Sequence, residues 1–279
     1  MTKKGYIKFW GVRGSMAAGT ADTAGYGGDT PCVEISYGSD IIICDAGSGI
    51  RRLGDDLMKR SKRTKASILF SHIHLDHVIG LPFFRPLYEK GNAFDLIDPG
   101  RTGPKLRSDL KKILGPPYFP VQITKVPARL KFKSFSGDQL KIGKIKVRSF
   151  ECFHPDSSFA FKFYLPDGKI IVHTSDNEPS KKLHRAFVRW IKGADILIHD
   201  AQYTPKQYDR KQGWGHSAYL HPIRLAAEAG IKKLFLFHYD PASTDRDLDR
   251  VLVNSKKFAR LIKSGVEVRL SRQGMKVSL

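Results

Sequence analysis

An α/β chain of two β-sheets packed face to face beneath outer helices is the fold class that this sequence predicts. Three observations lead there. Apolar runs of strand length recur along the chain, segments with helical apolar spacing lie between them, and the second half of the 279 residues repeats the scheme of the first. No linker rich in Pro, Gly or Ser and no short-period repeat divides the chain, so residues 1–279 are expected to form a single domain.

The elements follow in order. "YIKFWGV" (6–12), "CVEISYG" (32–38) and "DIIICDAG" (40–47) predict strands, the last two close enough to pair as a hairpin across Gly38-Ser39. In "GIRRLGDDLMKR" (49–60), Ile50, Leu53 and Leu57 share one helical face. Ser67–Phe70 predicts a short buried strand. "GLPFFRPLYEKGN" (80–92) predicts a short helix with Pro82 in its first turn and Gly91 at its end. Residues 104–114 predict an amphipathic helix, broken by "GPPYFP" (115–120). Further strands are expected near 129–135, 145–151, 158–165 and 169–173, then helix 181–192, strand 194–200, helix 219–229, strand 233–239, helix 245–262 and strands near 266–270 and 275–278.

"SHIHLDH", from Ser71 to His77, places three histidines and one aspartate at the carboxyl end of the strand Ser67–Phe70. Zinc-like ions favour imidazole and carboxylate ligands, and a catalytic site leaves one position open for water. In an extended segment His72 and His74 would share a face, and a turn after Leu75 would aim Asp76 and His77 at a second ion. Three single residues stand at the ends of other predicted strands: His154 in "SFECFHPDS", Asp176 in "IIVHTSDNEP" and His238 in "LFLFHYDP". Each alone reads as a satisfied structural residue, but their common placement makes them candidate ligands.

"SHIHLDH", "CFHP", "TSDN" and "LFHYDP", in this order, resemble the metal-binding motifs of the metallo-β-lactamase superfamily. The likeness runs from "WGVRGS" and "GYGGDTPCVEI" through "DAGSGIRRLG" to "GWGHSAYLHPIRLAAEAGIKKLFLFHYDP", essentially the whole chain. It implies a four-layer αββα sandwich of two mixed sheets with the site at one edge. The phosphodiesterase branch is the more similar one: RNase Z-like nucleases, cyclic-nucleotide phosphodiesterases and phosphoribosyl cyclic phosphodiesterases. By motif, the resemblance implies that His72, His74 and His154 hold one divalent ion, that Asp76, His77 and His238 hold a second, and that Asp176 bridges them. Nitrogen and oxygen donors of this kind suit a zinc pair, with manganese or iron as alternatives. His74 stands where the oxygen-reducing diiron relatives carry glutamate. Asp45 in "CDAGSG" matches an aspartate that supports the metal loop by hydrogen bonds.

"GWGHSAYL" carries His216, which matches the histidine of the "HST" loop of RNase Z-like enzymes, with Ala218 in place of the threonine. "HDAQYT" puts Asp200 where those enzymes carry an acidic partner. The implied role is a protonated histidine, oriented by Asp200, that donates to a leaving oxygen, with Asp76 and the metal set completing the catalytic residues. The other reading of His216 is ordinary hydrogen bonding that holds a glycine-rich loop. His173, His184, His199 and His221 receive no role, and Cys152 reads as a packed thiol. The loops "WGVRGS" (10–15) and "GYGGDT" (25–30) offer backbone N–H groups, or Arg13, to phosphate.

Composition narrows the function classes. A net charge of +21 attracts anions, and phosphate-bearing substrates are the natural candidates. The basic residues are spread along the chain ("KRSKRTK" at 59–65, "KFK" at 131–133, "KIGKIKVR" at 141–148), which leaves open both a generally basic surface and a nucleic-acid groove. No stretch approaches the roughly 18 apolar residues of a membrane span. "MTKKGYIKFWGVRGS" lacks a signal-peptide core, the first strand starts almost at once, and the cytoplasm is expected. Three cysteines argue against a disulfide framework, with Cys32 and Cys44 read as buried thiols on adjacent strands.

The expected function is therefore hydrolysis of a phosphodiester at two divalent ions, first in a cyclic nucleotide or related small cyclic phosphate. The alternative is an RNase Z-like endoribonuclease. Bacterial enzymes of that kind insert a long tRNA-clamping arm between the third histidine motif and the bridging aspartate, whereas only 21 residues separate His154 from Asp176. An alternative of another class is a non-catalytic nucleotide or RNA sensor that keeps the metal site. A phosphate-containing substrate, no membrane, and a second copy of the chain as a homodimer complete the expected partners.

Overall fold

The computed structural model describes residues 5–135 and 139–279. Its strands are β1 (Tyr6–Gly11), β2 (Cys32–Tyr37), β3 (Asp40–Cys44), β4 (Lys65–Leu69), β5 (Ala93–Asp98), β6 (Arg129–Ser134), β7 (Leu140–Ile142), β8 (Ile145–Glu151), β9 (Phe159–Tyr164), β10 (Ile170–Thr174), β11 (Ile196–Asp200), β12 (Lys233–Phe237), β13 (Glu267–Leu270) and β14 (Lys276–Ser278). Between them lie the helices α1 (Ile50–Arg60), α2 (Leu75–Val78), α3 (Gly103–Ile113), α4 (His184–Ile191), α5 (Pro205–Tyr208), α6 (Leu220–Glu228) and α7 (Asp245–Leu261).

The strands form two seven-stranded sheets, in the orders β14-β1-β2-β3-β4-β5-β6 and β13-β12-β11-β10-β9-β8-β7. Each is mixed. β1 to β3 pair antiparallel and β3 to β6 parallel. In the second sheet β7 to β10 pair antiparallel and β10 to β13 parallel. The expected hairpin across Gly38-Ser39 is present, with Tyr37 opposite Asp40. Gly38 takes φ +62°, which a tight two-residue turn demands and a residue without a β-carbon adopts cheaply.

Alternation within strands sets the layers. In β3, Ile42 and Cys44 join the core between the sheets, while Ile43 turns outward to the cluster that also holds Leu53 and Leu57 of α1 and Leu106 and Leu110 of α3. α6 and α7 cover the outer face of the second sheet, packing on β11, β12 and β13. The result is the four-layer αββα sandwich. Cys32, Cys44 and Cys152 are buried free thiols. Among the described residues no helix is long and apolar enough to cross a membrane.

Some expectations need correction. Residues 80–92 form no α-helix but two 3-10 turns, Leu81–Phe83 and Arg85–Tyr88, each with a proline in its first positions. Pro86 supplies no N–H and crowds the preceding turn, so one continuous helix cannot pass through it. β5 and β7 were not expected: Asp95 and Asp98 interrupt the apolar run of one, and the other is only three residues long. β14 joins the first sheet although it follows the second in sequence. The reading that no targeting segment precedes the first strand falls on residues 1–4, outside the described residues.

The basic residues include one concentration. Lys65, Arg129, Lys131 and Lys133 on the first sheet and Lys141 on β7 line a groove of about 490 Å³ between the sheet edges. Asp95 neutralises one of them, its Oδ2 lying 2.6 Å from Lys133 Nζ.

Candidate metal centre

In a sheet with parallel strands, residues just beyond the carboxyl ends converge on one rim. Asp45 follows β3, Ser71–His77 follow β4, Asp176 follows β10, Asp200 ends β11 and His238 follows β12, while His154 follows β8. All seven expected ligands meet there. His72, His74, His154 and Asp176 have donor atoms within 4.8 Å of one another, as do Asp76, His77 and His238. The grouping matches the division inferred from the motifs. Local backbone follows the expected course: His74 is still extended (φ −59°, ψ 156°) as the N-cap of α2, whose single turn carries Asp76 and His77.

Asp176 is the hub. Its Oδ1 lies 3.3 Å from His77 Nε2 and 3.1 Å from His238 Nε2. Its Oδ2 lies 3.5 Å from His72 Nε2 and 3.6 Å from His154 Nε2. Asp76 Oδ2 sits 3.2 Å from His77 Nε2 and 3.3 Å from His238 Nε2, and accepts the Ser15 N–H at 2.8 Å. His77 is turned the right way by Asp45, whose Oδ2 is 3.0 Å from His77 Nδ1. The same carboxylate accepts the Ser71 N–H and hydroxyl at 2.7 and 3.0 Å, so the loop-supporting role expected of Asp45 has a geometric basis.

Burial and charge decide what this cluster can hold. The Nε2 atoms of His72 and His77 are buried without a hydrogen-bond partner, yet both face carboxylate oxygens. A lone pair aimed at a carboxylate is tolerated only with a proton or a cation between them. Burial disfavours the imidazolium of His77, but Asp76, Asp176 and Asp45 outweigh it and raise its pKa well above the usual value. Burial likewise opposes the charge on Asp176, but His238 and His77 hold it well below the ordinary carboxylate range. The donor set, all imidazole nitrogen and carboxylate oxygen, fits divalent ions of the zinc, manganese or iron kind.

Asp200 links this cluster to His216. Its Oδ2 lies 3.3 Å from His216 Nδ1 and accepts the Ser217 N–H at 3.0 Å. Its Oδ1 is 3.9 Å from His238 Nδ1. The His216 ring stacks on His238 at 5.1 Å and meets Tyr203 edge-on at 5.7 Å. His216 Nδ1 is also 3.8 Å from Asp176 Oδ2, and Asp176, His216 and His238 form a third group close enough to share an ion. Burial works against a charged His216, yet Asp176 and Asp200 raise its pKa to about 9.

Several contributors were invisible to sequence reasoning. Asp156, two residues after His154, lies 2.7 Å from His74 Nε2, which leaves Nδ1 as the unengaged ring nitrogen. Glu178, two residues after Asp176, accepts the N–H groups of Gly213 and Gly215 at 2.7 and 2.9 Å and so shapes the His216 loop. Two glycines make room for the histidines, and Arg13 is engaged elsewhere. Arg13 is buried and donates to the backbone oxygens of Gly27, Asp240 and Ser243. A β-carbon on Gly14 would collide with the ring of His238, and one on Gly215, at φ +87°, with that of His154. Gly14→Ala should therefore keep the fold by circular dichroism but lower metal affinity about 10-fold, the usual scale for disturbing a group behind a ligand. Retained metal affinity in competition with a chelator would refute that reading of Gly14.

Comparison with known proteins follows the geometry. Residues 41–239 match the family model described as the beta-lactamase superfamily domain. A Ribonuclease Z of Methanosarcina acetivorans is 25% identical over 303 aligned positions, covering 90% of this chain and 92% of that relative. A Ribonuclease Z of Thermoplasma volcanium is 37% identical over 78 residues, 28% of this chain. That match spans only 24% of the relative's length. The fold is similar to that of the metallo-beta-lactamase fold protein YhfI from Bacillus subtilis, with a TM-score of 0.71, 17% identity, and 99% and 100% of the two chains covered.

Proposed function

The chain belongs to the metallo-β-lactamase superfamily, and on that premise we propose that it is a metal-dependent hydrolase that cleaves a phosphodiester bond. The observation that carries the reading is the pairing of His216 with Asp200, 3.3 Å apart, at the rim of the histidine and aspartate cluster. A hydrolase of this fold needs groups to hold ions, and a phosphodiesterase also benefits from an acid for its leaving oxygen.

His72, His74 and His154 would hold one divalent ion, Asp76, His77 and His238 a second, with Asp176 between them. When bound, such ions polarise a phosphoryl oxygen and acidify water toward a pKa of about 7. Everything else is the work of side chains. Asp45, through Ser71 and His77, fixes the ring orientations of the first motif. Asp200 engages His216 Nδ1, which makes Nε2 the nitrogen that gives its proton to the departing oxygen. With a pKa near 9, the ring carries that proton at neutral pH.

A small cyclic phosphodiester is the first substrate class in this proposal. His154 and Asp176 are joined by the short hairpin of β9 and β10, which leaves no length for an RNA-clamping insertion. The second reading, RNA, is favoured by the relative named Ribonuclease Z that aligns with 90% of the chain. The test is a panel run on zinc- and manganese-loaded protein: cyclic nucleotides, cyclic sugar phosphates, oligoribonucleotides, precursor tRNA and bis(p-nitrophenyl) phosphate. Turnover of a cyclic phosphate well above that of precursor tRNA is expected. Cleavage of precursor tRNA alone would hand the assignment to the second reading. Tight nucleotide binding without any turnover would make the protein a sensor.

A further inference from the structure

Beside the candidate centre lies a concave space of about 440 Å³ that the mechanism above does not use. Its walls include Met16, Leu75, Ile79 and Phe83, and Asp76 belongs both to it and to the metal cluster. These four apolar side chains are 70%, 60%, 40% and 55% exposed. Scattered exposed apolar residues are ordinary, but four converging on one concavity next to a catalytic cluster mark a binding surface. Phe83 is backed by Phe119, the rings meeting edge to face at 5.6 Å, so its exposed face is braced as a platform.

We propose that this concavity takes a nucleobase of the substrate, stacked on Phe83 and flanked by Met16, Leu75 and Ile79, while the phosphodiester lies at the histidine and aspartate cluster. The inference rests on the phosphodiesterase reading and deepens it. Size selects the occupant: about 440 Å³ suits a nucleoside-sized group, whereas a docked protein would need a contact face several times larger. Arg51 lines the same space and supplies positive charge at its rim.

The polar groups of the walls are already committed. Ser48 donates its hydroxyl to Asp29 at 2.8 Å and its N–H to Thr30 Oγ1 at 2.7 Å. Asp29 accepts from Gln273 at 2.6 Å and lies 3.2 Å from Arg52 Nε. Ser15 accepts from Gln202 at 3.0 Å. With those partners taken, the walls offer chiefly apolar faces, so recognition is mainly by stacking and discriminates little among bases.

The test compares dithymidine phosphate with its two analogues that each lack one base, in protein loaded with zinc or manganese. Removal of one particular base should lower kcat/KM about tenfold, mainly through KM, and Phe83→Ala and Met16→Ala should each erase most of that difference. Calorimetry gives an independent reading: thymidine 5′-monophosphate should bind about tenfold tighter than methyl phosphate, and both variants should narrow the gap. Equal affinities in the parent protein would overturn the proposal, as would variants that leave the ratio unchanged. Octyl phosphate binding as tightly as the nucleotide would overturn the nucleobase in favour of an alkyl chain. If no diester is cleaved but the calorimetric preference stands, the phosphodiesterase reading fails while the pocket survives.

Discussion

Asp176→Ala is expected to strip the protein of the two proposed ions on dialysis and to lower phosphodiester turnover by at least about 10³-fold. The side chain touches everything: its two oxygens lie 3.1 to 3.6 Å from the Nε2 atoms of His238, His77, His72 and His154. Those four rings come from both sheets, and removing the carboxylate leaves His77 and His238 with Asp76 but takes from all four the counter-charge that they share. Metal assistance is worth several kcal/mol to a transition state, and about 4 kcal/mol is a factor of about 10³ in rate. Asp176→Asn keeps the shape and loses the charge, so it should lose the ions as well. Elemental analysis after dialysis and hydrolysis of bis(p-nitrophenyl) phosphate provide the two readings. Full metal content with parental turnover in Asp176→Ala would remove Asp176 from the proposed bridging position.

His216→Ala separates proton delivery from metal holding. General acid catalysis contributes about 10² to 10⁴ in rate, so turnover should fall by that factor while both ions stay. The third close group, Asp176 with His216 and His238, frames the competing outcome: loss of metal on His216→Ala would make His216 a ligand. The pH profile adds a sign. In the proposed mechanism the protonated ring is the working form, so rate should hold at neutral pH and fall as pH rises through a pKa of about 9. Asp200 helps to raise that pKa, and Asp200→Asn withdraws its charge. The alkaline limb of the profile should therefore move to lower pH. A limb that stays in place would show that Asp200 does not govern the proton on His216.

Much of this arrangement was legible because its residues carry chemistry in their names. A histidine directly after "LFLF" or an aspartate just beyond "IIVHTS" announces a polar group at a sheet rim, and these single residues converge with those of "SHIHLDH". What escaped was set by distance across the fold. Nothing near Gly14 says that it must make room for His238, 224 positions away, and nothing near Glu178 says that it ties down Gly213 and Gly215. Arg13 looked like an anion binder because its loop is glycine-rich, but it is buried, and its Nε and Nη1 donate to backbone carbonyls. The segment 80–92 misled for a local reason: its apolar spacing is helical, but Pro82 and Pro86 cut it into two short turns. β5 and β7 fell below the length or regularity at which alternation becomes a signal.

The position of β14 has a consequence for how the protein is made. The first six strands of the first sheet end at Ser134, but the strand that covers β1 begins at Lys276, about 140 residues later. At a synthesis rate of roughly 5–20 residues per second, the ribosome needs roughly 7–30 s to bridge that interval. A first sheet formed within that interval would display the uncovered hydrogen-bonding edge of β1, the kind of edge on which other chains can template. Birth order and finished architecture are thus at odds in this protein, and its most exposed moment comes before its last strand emerges.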